Sequence, residues 1–249
     1  TRLEHNSVLR PIAHCVDDFG ARATLVPFDA RGLVDPDDIR KAIEKDTRLV
    51  VVNHASNVLG TVQPVAEIGA ICRTAGVPLC IDAAQSAGLV PIDMQAMHVD
   101  VVAFTGHKSL LGPTGTGGLC VGEGVEIAHT RAGGTGVRSA ARRHPDEYPL
   151  RLEFGTPNTL GLAGLARGLA LIAEGGGVAR PRDRDPAAVA ALLAGAQGGG
   201  VLPVLRRHVD LLEAEFLALV EVGRAGERQH RQGRGAGAGQ AALAAAVAG

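Results

Sequence analysis

Lysine is scarce in this chain. Its 249 residues include three, Lys41, Lys45 and Lys108, and arginine supplies nearly all the other positive charge. Each lysine therefore asks for a reason. Lys41 and Lys45 lie on the run Asp38-Ile39-Arg40-Lys41-Ala42-Ile43-Glu44-Lys45, at a spacing that puts both on the exposed face of an amphipathic helix, where solvation explains them. Lys108 has no such explanation, because it stands between an apolar run and a glycine-rich loop.

Long apolar runs are missing too. No stretch reaches about eighteen uninterrupted apolar residues, so no membrane-spanning helix is expected. The N-terminal Thr1-Arg2-Leu3-Glu4-His5 lacks the basic and apolar regions of a secretory signal. A cytoplasmic location with no membrane partner is the expectation. The net charge of -1 carries no positive excess, so nucleic acid is not an expected partner either. The four cysteines, Cys15, Cys72, Cys80 and Cys120, show no CxxC metal spacing. They read as reduced structural thiols, and no metal site is expected.

What is present is ordinary for a globular unit or a large domain with an appendage: 46% hydrophobic and 20% charged residues. From Ala23 to Val121 short apolar runs alternate with helical stretches. Thr24–Phe28 reads as a strand, and Asp35-Pro36-Asp37-Asp38 opens a helix with acidic residues in its first turn. Leu49–Asn53, Val77–Asp82 and Val99–Phe104 read as buried strands, with Val65–Ala75 as a helix between the first two. The order implies an α/β fold with a mostly parallel sheet flanked by helices, in which ligands gather at the carboxyl ends of the strands. Polar residues stand at those ends: Asn53-His54-Ala55-Ser56-Asn57, Asp82-Ala83-Ala84-Gln85 and Thr105-Gly106-His107-Lys108. Any one of them is explained equally well as a cap for the next helix; all three together point to one pocket. After Gly175 the chain turns rich in Arg, Ala and Gly. Leu202–Val222 reads as one amphipathic helix, and the tail from Arg231 as linker or disorder.

A lysine at the end of a buried strand can be held partly desolvated, which frees its amine as a nucleophile toward a carbonyl. Gly112-Pro113-Thr114-Gly115-Thr116-Gly117-Gly118 invites a nucleotide reading, but a Walker loop ends in Gly-Lys-Ser/Thr, and here the lysine precedes the glycines. Pyridoxal phosphate needs a lysine for its Schiff base and a carboxylate for its pyridine nitrogen. Lys108 and Asp82 supply that pair from successive strands.

Ile81-Asp82-Ala83-Ala84-Gln85-Ser86-Ala87-Gly88 and the run from Phe104 to Gly117 resemble the cofactor motifs of class V aminotransferases, the group that includes cysteine desulfurases. Glu4-His5-Asn6-Ser7 is similar to that family's cofactor-stacking segment, Ser56-Asn57-Val58-Leu59-Gly60-Thr61 to its substrate-side loop, and Phe154-Gly155-Thr156-Pro157-Asn158 to a segment that follows the lysine. The match runs in family order from Thr1 to about Glu174. It implies the large domain of the fold-type I pyridoxal-phosphate enzymes, spanning 1–176, followed by a divergent, partly helical region over 177–249. By the resemblance Lys108 carries the Schiff base and moves the Cα proton, and His5 stacks on the ring as a second catalytic residue. Asp82 pairs with the pyridine nitrogen, Gln85 bonds the phenolic oxygen, and Thr105 and His107 hold the phosphate. Asn57 faces substrate and cofactor, and Thr135 in Gly133-Gly134-Thr135-Gly136 reaches a phosphate across a homodimer interface.

The family's phosphate-binding turn precedes the His5 motif and has no counterpart here, so an incomplete chain is expected. The cysteine that carries persulfide in desulfurases has no counterpart after Cys120, and no local pattern marks an arginine for the substrate carboxylate. The expected function is a pyridoxal-phosphate enzyme acting on an amino acid, most like a cysteine desulfurase. Class V aminotransferase and β-lyase share its early steps and stay open. An inactive fragment or dimerising partner, and a phosphate- or nucleotide-binding module, are the readings from other classes.

Overall fold

The computed structural model describes residues 1–129, 131–174 and 202–206. Three aliphatic runs form its central strands, β1 (Val50–Asn53), β2 (Leu79–Asp82) and β3 (Val101–Thr105). β1 pairs with β2 and β2 with β3, both parallel, and the register sets Asn53 beside Asp82 and Asp82 beside Ala103. Two antiparallel strands complete the sheet in the order β1-β2-β3-β4-β5: β4 (Gly117–Val121) and β5 (Leu202–Arg206).

Four helices accompany the sheet among the described residues: α1 (Asn6–Phe19), α2 (Pro36–Ala42), α3 (Val65–Ala75) and α4 (Thr159–Ala173). Each is started or stopped by its own residues. The Asp35 side chain accepts from the N–H of Asp37 and Pro36 takes the first turn of α2, while Gly20 and Gly76 end α1 and α3 in the left-handed region. Side chains alternate across the sheet. Leu79, Ile81, Val102 and Cys120 face a core shared with Val65, Ile68 and Cys72 of α3 and Leu165 and Ile172 of α4. Cys80, Val101, Ala103, Leu119 and Val121 face the other way, onto Ile127 and Leu152. A side chain such as Ile68, Leu79 or Ile81, with no exposure left, contributes about 1.5–3 kcal/mol by leaving water.

The mostly parallel α/β reading holds for β1 to β3, and α3 has the expected bounds. Several expectations do not hold. Thr24–Phe28 is not a strand: only Val26 finds a strand-like partner, its carbonyl accepting from the N–H of Arg2 at 2.9 Å. A strand needs a ladder beside it, and this segment's own residues do not supply one. α2 stops at Ala42, so Lys41 lies on it, bonded to Asp38 at 2.8 Å, but Lys45 lies beyond it. Of the helix expected over Leu202–Val222, the first five residues form β5 instead, because their backbone completes the open edge of β4; the rest of that stretch, and the tail from Arg231, lie outside the described residues.

Candidate active site

Because β1, β2 and β3 are parallel, their carboxyl ends open on one side of the sheet, and the loops that leave them carry the candidate residues. Asp82 closes β2 and is 5% exposed. One oxygen accepts the N–H of Ala84 at 2.8 Å. Burial pushes its carboxyl above the ordinary range; the Ala84 bond opposes this, the charge of Glu4 adds to it, and the charges of Lys108 and His5 draw it back down. Asn53 and Asp82 are register partners at the ends of β1 and β2, and the Asn53 N–H bonds Glu4, which brings the segment carrying His5 to the same edge. Lys108 is exposed, so the desolvated setting expected for it is not found: the chain leaves β3 at Thr105 and carries the lysine into a turn closed by the N–H of Leu111 on the Lys108 carbonyl.

His5 sits at the N-cap of α1. Its Nδ1 accepts from the N–H of Ser7 at 3.1 Å and lies 2.9 Å from the Ser7 hydroxyl, which fixes the ring while leaving the residue exposed. Glu4 anchors it from below. Fully buried, its Oε1 accepts from the Thr1 hydroxyl at 2.6 Å, the Thr1 amine at 3.0 Å and the N–H of Asn53 at 2.9 Å, while Oε2 and the amide oxygen of Asn53 are buried without a partner among the described residues. Gln85 is half-buried in the turn after β2, and the Thr105 hydroxyl meets Nδ1 of His107 at 2.8 Å, both half-buried. The glycine between them is imposed by packing: a Cβ on Gly106 would stand 2.3 Å from the Thr116 hydroxyl.

Two expected residues, Asn57 and Thr135, make no hydrogen bond to Asp82 or Lys108 among the described residues. Asn57 is exposed in the loop after β1, which Ser56 shapes by accepting the N–H groups of Val58 and Leu59. Thr135 lies on a loop tied to Gly155 through the carbonyl of Gly134, its hydroxyl donating to the Val137 carbonyl at 3.0 Å; no contact links it to the Asp82 group among the described residues. The glycine run that invited a nucleotide does not lead from a strand into a helix, as a phosphate loop must. It is the β3–β4 hairpin, fastened by the N–H of Gly106 on the Thr116 carbonyl and the Thr116 hydroxyl on the Pro113 carbonyl.

Sequence reasoning gave no role to Glu4, or to the pair His54 and Ser86. Nδ1 of His54 lies 2.8 Å from the Ser86 hydroxyl, both buried, and the His54 N–H donates to the Asp82 carbonyl. Burial lowers the His54 pKa, so a neutral imidazole joins the β1 end to the Asp82–Gln85 turn. The only signal in the sequence was a histidine directly after a buried strand.

The residues present suit pyridoxal phosphate. A buried carboxyl suits a protonated ring nitrogen, an exposed lysine stands on the loop that leaves the neighbouring strand, and the His5 imidazole follows Glu4, which is bonded to the end of β1. Among the described residues no group of three or more His, Cys, Asp or Glu is placed to hold a metal ion, and no helix is long and apolar enough to cross a membrane.

Residues 1–196 match the family model described as aminotransferase class-V. A probable cysteine desulfurase of Methanothermobacter thermautotrophicus is 40% identical over 167 residues, 66% of this chain and 42% of the relative. The apo structure of a cysteine desulfurase from Thermococcus onnurineus NA1 superposes with a TM-score of 0.57 at 33% identity, over 70% of this chain and 44% of that one. SspA, solved in complex with cysteine, gives 0.59 at 30% identity, over 68% and 45%. The chain thus spans less than half the length of these relatives, and across that span, with the large-domain fold of the solved structures, it belongs to the aminotransferase class-V family.

Proposed function

We propose that this chain is the cofactor-binding part of a pyridoxal-phosphate enzyme that acts on an amino acid in the manner of a cysteine desulfurase. The observation that carries the reading is the buried Asp82 carboxyl at the shared carboxyl edge of three parallel strands, with Lys108 on the loop that leaves β3 and Glu4, next to His5, bonded to the end of β1. When bound, pyridoxal phosphate supplies an aldehyde for amino groups and a ring that withdraws electrons from the substrate's Cα. Lys108 would hold the cofactor through its amine and, from its exposed turn, would serve as the base that moves a proton at the substrate's Cα. Asp82 would hold a proton on the ring nitrogen, and its burial would strengthen that contact, because an unpaired charge there is costly. His5 would lie against the ring, Gln85 would donate to the phenolic oxygen, Thr105 and His107 would hold the phosphate, and Asn57 would face the substrate.

Residues 1–176 form the cofactor-binding unit. A homodimer, with Thr135 serving the partner's phosphate, fits the exposed apolar side chains of Val58 and Leu59 beside Asn57. A reducing cytoplasmic setting fits four buried cysteines that form no disulfide. None of those thiols is placed to receive sulfur. Burial pushes Cys72 and Cys120 up to about 11, which keeps them protonated.

The test is product analysis with added pyridoxal phosphate, L-cysteine and a thiol reductant. With none of the chain's own thiols placed to take the sulfur, the added thiol would accept it and a second equivalent would release it as sulfide, leaving the reductant's disulfide; alanine and sulfide in equal amounts are expected. Pyruvate, ammonia and sulfide would make the chain a β-lyase, and amino transfer to an added 2-oxo acid an aminotransferase. No turnover in a chain that still binds the cofactor would leave it an inactive or dimerising partner.

A further inference from the structure

His54 is the first residue past β1, and its backbone is fixed on both sides: its N–H donates to the Asp82 carbonyl at 2.9 Å, and its carbonyl accepts from the N–H of Gln63 at 2.9 Å. Gln63 is buried and tied in turn, its side-chain oxygen accepting the Val34 N–H at 2.9 Å and its amide donating to the Gly32 carbonyl at 2.9 Å. The imidazole thus hangs from a fixed frame. From there Nδ1 lies 2.8 Å from the Ser86 hydroxyl, the two residues being 2% and 0% exposed. Ser86 ends the turn that carries two of the candidate residues. The N–H groups of Ser86 and Ala87 both donate to the Ala83 carbonyl, at 3.1 Å and 2.8 Å, and the Ala83 N–H donates to the Ala103 carbonyl of β3 at 2.8 Å. Within the turn the Ala84 N–H holds one oxygen of Asp82 at 2.8 Å, and Gln85 follows, directly before Ser86. His54 therefore grips one end of the turn through the main chain of Asp82 and the other through the side chain of Ser86. Burial lowers its pKa, so it does this as a neutral ring and adds no charge beside Asp82.

We propose that His54 is a positioning residue for Asp82 and Gln85: its ring, bonded to Ser86, holds the turn in the one shape that aims the Asp82 carboxyl and presents Gln85 to the cofactor. The inference rests on the cofactor reading of this site, in which Asp82 meets a ring nitrogen and Gln85 a phenolic oxygen. Both contacts are hydrogen bonds, which weaken steeply as they bend away from a line, so they depend on the groups that hold their partners still. The Ala84 N–H that orients the Asp82 carboxyl is carried by the turn, and the turn is closed by Ser86. An apolar side chain at position 54 would fill the same space and keep the main-chain bond to Asp82, yet it would release the Ser86 end.

Three variants of the full chain separate positioning from plain stability: Ser86→Ala, His54→Leu, and the two together. Each single change strands one buried polar group, whereas the double variant replaces both partners with apolar groups and leaves neither unsatisfied. The urea midpoint of the cofactor-free chain is therefore expected to fall in each single variant and to return most of the way in the double. Positioning is not expected to return with it. In the double variant, amide exchange over Asp82–Ala87, read by mass spectrometry without cofactor, should stay about tenfold or more faster than in the parent chain, with β3 unchanged. Pyridoxal phosphate should bind it about tenfold more weakly, and the visible circular dichroism per bound cofactor, which reports a fixed orientation, should be diminished. Recovery of exchange and affinity together with the urea midpoint would overturn the proposal and leave the pair a packing feature. Exchange over the turn that is unaltered in all three variants would overturn it as well. A parent chain that binds no pyridoxal phosphate while its exchange still responds to the variants would contradict the cofactor reading alone, and would uphold the hold of His54 on the turn.

Discussion

Asp82 and His54 both bring a titratable group into the sheet's carboxyl edge, and burial acts on them in opposite directions. The Asp82 pKa is raised, first by burial. A carboxyl whose folded pKa is raised contributes stability below its ordinary pKa and loses it as pH climbs through the folded value. Asp82→Asn should therefore raise the melting temperature of the cofactor-free chain at about pH 7, with the gain shrinking toward about pH 4. The same change should weaken pyridoxal phosphate binding by about tenfold to a hundredfold, the worth of a charge-assisted hydrogen bond. A melting series across pH beside a spectroscopic titration checks both. His54 is lowered by burial, so its contribution stands above the ordinary imidazole pKa and is lost as pH falls through the folded value. Ser86→Ala leaves the buried ring nitrogen without its hydroxyl and should cost about 1–3 kcal/mol, read as a lower urea midpoint at unchanged slope.

At the scale of elements, the hairpin that presents Thr105, His107 and Lys108 depends on glycines. A Cβ on Gly106 would meet the Thr116 hydroxyl at 2.3 Å, so Gly106→Ala should destabilise by about 1–3 kcal/mol. Adding Thr116→Ala should return part of that loss in a double-mutant cycle, since the nearest obstacle is a side-chain atom. Gly168→Ala offers no such relief. Its nearest obstacles are backbone, the Leu110 carbonyl at 2.5 Å and the Leu111 carbonyl carbon at 2.8 Å, so α4 has to move off the loop that follows Lys108. What the sequence showed at this scale followed periodicity. β1, β2, β3 and α3 were legible because their apolar pattern is dictated locally by the face each buries. β4 was not, because Gly117 and Gly118 read as loop; yet a Cβ on Gly117 would lie 2.8 Å from the Phe104 carbonyl, and the close strand approach is what calls for glycine. Thr24–Phe28 failed for the opposite reason: its residues suit a strand, and pairing is a property of what lies beside it.

Across the whole molecule, the site was legible as a set of strand ends, since parallel topology alone brings Asn53, Asp82 and Thr105 to one edge. The exposure of Lys108 and the Glu4 anchor beneath His5 were not, because both depend on how loops fold back over that edge. The cysteines bear on the chemistry as a group. All are buried, so iodoacetamide should label the native chain far more slowly than the urea-unfolded chain, and fast native labelling of any one would reopen it as a sulfur acceptor. The most direct test of the account is borohydride reduction of the chain with pyridoxal phosphate, followed by peptide mapping, beside Lys108→Ala. A reduced adduct on the peptide carrying Lys108, with the visible band absent from the variant, is the predicted result. A band that survives in Lys108→Ala, or an adduct on Lys41 or Lys45 in its place, would contradict it.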